Sequence, residues 1–152
     1  MNKIVAINPA LPAMSDADIC NVSLAESHLR SLEQVPIKTT HHFHAGMYAR
    51  TVCVPKGIII TGVLIRIPTM LIISGHATAY IGGGEIELCG YHVLPGSAGR
   101  KQMFFAHEDT YLTMIFPSKA NTVEEAEAEF TDEIDLLVSH QQTDDLVFIT
   151  GE

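Results

Sequence analysis

At 152 residues the chain has the length of one ordinary domain, enough to bury a core without disulfide or metal staples. Hydrophobic residues make up 47 % and charged residues 18 %, which excludes extended disorder over most of the chain. A net charge of −9 argues against a surface built for nucleic acid or an anionic membrane.

The acids are unevenly placed. Ten of the eighteen fall from Glu124 onward, and no Lys or Arg follows Lys119, which reads as a solvated acidic helix face. The most apolar run, 58–67, contains Thr61, Gly62 and Arg66 and ends before Pro68, well short of the ~20 apolar residues of a membrane span. Residues 1–14 lack the basic start and long apolar stretch of a secretory signal. Cys20, Cys53 and Cys89 are odd in number, widely spaced and without a CxxC pair. They suggest neither a disulfide framework nor a zinc site and suit a reducing cytoplasm, the compartment expected here.

In chain order, residues 1–14 read as an extended arm, broken by Pro9 and Pro12. Residues 15–34 read as a helix. Ser15 with Asp18 is a start signal, and Ile19, Val22, Ala25, Leu29 and Leu32 recur on one face. A second capping pair, Ser23 with Glu26, leaves room for a break near residue 22. Between 39 and 117 the texture turns to short β-rich runs near 47–54, 58–66, 70–74, 77–81, 85–89, 91–94, 101–106 and 110–116. Gly, Pro and Asp punctuate them, as in Gly82-Gly83-Gly84, a hairpin rather than a nucleotide loop. Eight such strands suit a double-sheet jelly roll, and no crossover helix fits between them. Residues 121–139 read as a second helix, capped by Asn121 or Thr122, with Val123, Ala126, Phe130, Ile134, Leu137 and Val138 on its apolar stripe. Leu146 to Ile149 could add an edge strand. The segments 1–38, 39–117 and 118–152 are expected to form one globular domain.

The runs Gly46-Met47-Tyr48-Ala49-Arg50 and Ala106-His107-Glu108-Asp109-Thr110 are the specific part of a resemblance. With Val54 to Gly57, Leu71 to Gly75 and Pro95-Gly96, the stretch from about 40 to 117 resembles small cupin-like proteins of tailed phages and prophages. The resemblance implies an all-β, cupin-type double-stranded β-helix barrel with flanking helices, forming a homo-oligomer. It implies no agreed activity. Metal-binding cupins are similar to one another in a His-x-His pair with a later Glu, followed by a His in a second motif. Here the stretch after Gly57 is Ile58 to Arg66, and that after Pro95 is Gly96 to Lys101, both without His or acid. Aliphatic groups cannot replace imidazole and carboxylate ligands, so no metal is expected at those places and no cofactor is implied.

Four constellations remain. On a strand over 47–54, Tyr48, Arg50, Val52 and Val54 share a face, so valines turned inward take Arg50 with them. A buried guanidinium then needs either an anionic ligand or a carboxylate such as Glu85, Glu87, Glu108 or Asp109. Arg100 and Lys101 follow the flexible loop Gly96-Ser97-Ala98-Gly99, read as an exposed basic turn or as an anion site at the barrel mouth. His107 beside Glu108 and Asp109 is read as turn chemistry or as an acid–base pair. His42 and His44 point one way and His41 the other; with His92 or His107 the first two could form a displaced metal site. The residues point away from an enzyme. The leading expectation is a non-enzymatic phage or virion-associated accessory protein acting through oligomerisation and a protein partner. The alternatives are an anion-binding barrel using Arg50 and Arg100, and a metal-dependent enzyme using the displaced histidines.

Overall fold

The computed structural model describes residues 10–137 and 145–150. Its elements are α1 (Asp16–Arg30), β1 (Thr39–His44), β2 (Met47–Val54), β3 (Ile59–Thr61), β4 (Thr69–Tyr80), β5 (Glu85–Gly96), β6 (Met103–Ala106), β7 (Thr110–Pro117), α2 (Val123–Phe130), a 3-10 turn (Ile134–Leu136) and β8 (Leu146–Ile149).

The chain doubles back on itself at the glycines between β4 and β5, where Ile81 N–H donates to Gly84 O. The two arms then pair in nested fashion, β4 with β5, β3 with β6, β2 with β7, all antiparallel. Nested pairing alone would make one flat ribbon. The ribbon creases at Gly75 and Gly90, which are opposite each other and adopt φ of 144° and 91°. Before the crease β4 pairs with β7, through Met70 to Ser74; beyond it β4 pairs with β6, through Ala77 to Tyr80. Divided there, the strands form two faces, β1-β2-β7-β4-β5 and β3-β6-β4-β5, which is the jelly-roll arrangement. Gly75 is required at the crease: a Cβ would lie 2.6 Å from Thr110 Oγ1 and 2.8 Å from Thr110 Cα.

The core lies between the two faces. Ile73, Ala79, Leu88, Leu94, Phe104 and Phe116 alternate with outward neighbours along their strands and close the interior. β1 extends the first face beside β2, and β8 adds a parallel edge strand to β1, from Thr40↔Leu146 to Phe43↔Ile149. Among the described residues no helix is long and apolar enough to cross a membrane.

The fold class read from the sequence is the observed one, an all-β jelly roll with helices at both ends. Local boundaries differ. The helix expected over 15–34 starts on its Ser15 cap and runs unbroken to Arg30, where Ser31 caps its last carbonyls. The strand expected over 58–66 is only the short β3 plus a single bridge, Ile65↔Arg100. The helix expected over 121–139 starts on Thr122 but ends at Phe130. Arg66 explains that end. Its backbone N–H donates to Phe130 O at 2.9 Å, and its guanidinium donates to Glu129 O and Ala128 O, so terminal carbonyls are already satisfied. Thr131 then turns extended and donates its hydroxyl to Leu64 O. Val138, assigned to that helix's stripe, lies outside the described residues, as do residues 1–9 of the N-terminal arm. Leu11 pairs with Gly96.

Candidate functional site: the polar interior of the barrel

β2 presents Tyr48, Arg50, Val52 and Val54 inward, as the alternation requires. Arg50 meets Glu127 of α2, with Nη1 to Oε2 at 3.3 Å, and its guanidinium lies over the Phe130 ring at 6.0 Å. The carboxylates proposed from sequence, Glu85, Glu87, Glu108 and Asp109, are not its partner. Glu127 sits on the helix face read as solvated, yet it is fully buried, because the axis of α2 packs Ala126, Glu127 and Phe130 against the barrel.

Arg50 is one end of a polar chain. Its guanidinium hydrogen-bonds the Tyr48 hydroxyl. Tyr48 lies 2.6 Å from His41 Nδ1, and His41 Nε2 lies 2.9 Å from Asp145 Oδ2. A neutral His41 accepts the Tyr48 O–H at Nδ1 and donates Nε2–H to the carboxylate, whereas an imidazolium would donate from both nitrogens. Burial favours the neutral form. Burial pushes its pKa below the ordinary imidazole value, a shift that the Asp145 bond only partly opposes. Burial likewise pushes the Tyr48 phenol up to about 12. The chain is thus held in its uncharged middle by desolvation, between an ionised pair at one end and a carboxylate at the other.

Arg100 and Lys101 are not on an exposed turn. The bridge of Arg100 to Ile65 draws both side chains inward, and they are 2 % and 0 % exposed. Lys101 Nζ pairs with Glu133 Oε1 at 2.7 Å and Glu26 Oε1 at 3.2 Å, tying α1 and the segment after α2 to the barrel. Arg100 donates to Ser97 O at 2.8 Å and Thr69 Oγ1 at 2.5 Å. Its guanidinium packs on Gly96, where a Cβ would lie 2.5 Å from Cζ. Among the described residues no carboxylate pairs with it, and burial lowers its pKa to about 10. The two stretches that would carry ligands in a metal-binding barrel therefore meet, after Gly57 and after Pro95, around a buried guanidinium and a threonine hydroxyl. A cationic donor group does not fit a metal cation.

The remaining apolar space, a pocket of about 120 Å³, is lined by Val52, Leu71, Phe104, Met114 and Leu137, with Arg50 at its wall. His42 and His44 lie on the outward side of β1, as their spacing predicts. His42 stacks on Phe148, and His44 Nδ1 meets Thr150 Oγ1 at 2.5 Å. His92 bonds Cys89 O. His107 is not near any of these; it follows β6 and bonds Thr78 Oγ1 through Nε2 at 2.7 Å. Asp109 accepts from Lys56 N–H, and Glu108 O accepts from the Thr110 hydroxyl, so these neighbours serve the turn. Sequence reasoning missed Glu127 and Glu26 as buried groups and the half-buried Glu133 as a partner of Lys101. Their signal was present only as single acids at otherwise apolar helical positions.

No protein-family model matches the chain, and no curated protein is significantly similar to it. Among solved structures, a cupin superfamily protein of Desulfitobacterium hafniense DCB-2 is 12 % identical over 58 % of this chain and 83 % of its own, with a TM-score of 0.48. KdgF from a Halomonas species is 15 % identical over 59 % of this chain and 86 % of its own, at 0.47. A cupin-2 domain protein of Shewanella frigidimarina is 13 % identical over 65 % and 98 %, at 0.44. Likenesses of this degree transfer no activity. The fold class stands on the nested register of this chain's own strands.

Proposed function

We propose that the protein is a non-enzymatic binding or assembly protein that works through its outer surface, as a homo-oligomer. The observation that carries this reading is the outer side of the larger face. Its outward positions on β2 and β7, on β4 before Gly75 and on β5 after Gly90 hold no Asp, Glu, Lys or Arg, in a chain of net charge −9. Tyr91 and Tyr111 flank Ser74 in register and are 68 % and 54 % exposed; Met70, Ile72, Val93 and Ile115 continue the patch. Exposed tyrosines in an apolar, charge-free field are typical of interface centres. A second copy is the occupant this chemistry favours. Two identical acidic chains repel wherever their charges oppose, and this side lets them meet by a two-fold axis without opposing any. The resemblance of residues 40–117 to small phage-encoded proteins makes an accessory or virion-associated role the finer form of this reading.

The test is light scattering after size exclusion at micromolar concentration. A dimer or larger assembly is expected, and Tyr111→Glu should release monomers with an unchanged β-rich circular dichroism spectrum. A monomeric native chain at these concentrations would overturn the reading.

A second reading rests on Arg100. Its buried guanidinium has only neutral acceptors among the described residues, and it adjoins a groove lined by Thr69, Gly96 and Ser97. A small carboxylate or phosphate reaching that groove would supply the missing negative charge. Thermal-shift measurements with phosphate, citrate and nucleotides are expected to raise the melting temperature of the native chain but not of Arg100→Met. No response to any of the three would end this reading.

A further inference from the structure

We infer that the outer side of the smaller face carries a site for a zinc-class divalent cation, formed by His76, Glu87 and His107. This site lies on the opposite side of the sheet from the barrel interior and on a different face from the tyrosine patch. Its test is therefore independent of the assembly proposal.

Three strands bring the residues together. His76 and Thr78 are outward positions of β4 beyond the crease, Glu87 is the outward residue of β5 opposite Thr78, and His107 follows the end of β6. One nitrogen or oxygen of each of the three side chains lies within 4.8 Å of the others. The imidazole rings of His76 and His107 are 4.5 Å apart at their centroids, tilted by 37°. Among the described residues this is the only such grouping of three His, Cys, Asp or Glu side chains.

The donor chemistry suits a borderline cation. Two neutral imidazoles and one carboxylate form the three-ligand set of zinc sites that keep a fourth position open. Magnesium and calcium would instead require mostly oxygen donors. The two histidines are the fixed part. The His107 backbone N–H donates to the His76 carbonyl at 2.8 Å, locking their relative height, and Phe105 packs edge-on against the His107 ring at 4.9 Å. Thr78 Oγ1 lies 2.7 Å from His107 Nε2. The tautomer that donates Nε2–H to this hydroxyl leaves the Nδ1 lone pair for the cation, which is how outer partners orient metal-binding imidazoles. Glu87 is the mobile part. Its side chain is 66 % exposed and its Oε1 lies 2.5 Å from His76 Nε2. A cation held at about 2.0–2.2 Å from each donor takes the place of that hydrogen bond and moves the carboxylate outward into solvent.

Titration calorimetry of tag-free protein with zinc chloride tests the site, with cobalt(II) absorption as a second readout of coordination. One equivalent of zinc is expected. Binding should weaken at least tenfold in His107→Ala and in Glu87→Gln, and about tenfold in Thr78→Val, which removes only the orienting hydroxyl. The double variant His42→Ala with His44→Ala should bind as the native chain does. Glu87, His42 and His44 are exposed and Thr78 and His107 half-buried, and circular dichroism verifies that each variant is folded. Absence of saturable binding, or binding lost in the His42/His44 variant and kept in His107→Ala, would overturn the assignment.

Discussion

Lys101 shows how individual side chains are committed inside this barrel. Its ammonium is fully buried, and two carboxylates from separate elements, Glu26 and Glu133, converge on it. Replacing the lysine by methionine keeps the volume and leaves Glu26 without its counter-charge, so Lys101→Met should lose about 3 kcal/mol of stability in urea unfolding. The reverse inference does not hold: the pair is costly to break without being a large net source of stability. His41 gives a different dependence. Its folded pKa lies below the unfolded one, so the unfolded chain takes up the proton first as the solution is acidified. The contribution of neutral His41 is complete above the ordinary imidazole value of about 6.5 and is lost as pH falls below it. The melting temperature should therefore drop between about pH 7 and pH 5, and His41→Gln should flatten that drop. Tyr48 acts at the other end of the scale: its raised pKa stabilises the fold below about pH 10, and that contribution is lost as pH rises towards 12. At this scale the inward course of Tyr48 and Arg50 was legible, because strand alternation is strict. The partner of Arg50 was not, because Glu127 stands among three other acids of the same short helix and only its place between Val123 and Phe130 sets it on the apolar stripe.

Among elements, the crease in β4 and β5 makes the barrel out of a ribbon, and its two glycines are not equivalent. Gly75 faces the Thr110 backbone and the Asp109 carbonyl within 2.9 Å, whereas an added Cβ at Gly90 meets nothing within 4 Å. Gly90→Ala should cost only the backbone penalty of a positive φ, about 1–2 kcal/mol. Gly75→Ala adds a clash with backbone that cannot move without parting β4 from β7, and should be the more damaging by a clear margin in the same unfolding assay. The eight strand segments read from the sequence correspond to the arms of this ribbon. The separate runs at 70–74 and 77–81, and those at 85–89 and 91–94, are the halves of β4 and β5 on either side of the crease. Glycine punctuation marked the bend correctly but resembled a break between strands. The end of α2 was illegible for a tertiary reason. Arg66, distant in sequence, satisfies its last carbonyls, and no local signal at Phe130 announces that.

For the molecule as a whole, the interior and the outer surface divide the work. Inside, Arg50, Lys101 and His41 are engaged by groups of the same chain, and the apolar space is small. Outside, one face is charge-free and the other carries the His76–Glu87–His107 cluster. If copies associate through the tyrosine patch, folding and association are linked, so the melting temperature should rise with protein concentration in the native chain and become independent of it in Tyr111→Glu. This level of organisation was only partly legible. An all-β barrel follows from the density of strands and turns, but the cluster on the smaller face needs the pairing of β4 with both β5 and β6, which no spacing in the sequence reveals.

The last described strand has a consequence of its own. β8 covers the open ladder of β1, and Asp145 just before it holds His41. A chain ending at residue 144 would uncover unpaired peptide groups beside Phe43 and an exposed row of histidines. Such an edge recruits strands from other molecules, and the shortened protein should seed fibrillar deposits, detectable by thioflavin fluorescence under conditions in which the full chain stays clear.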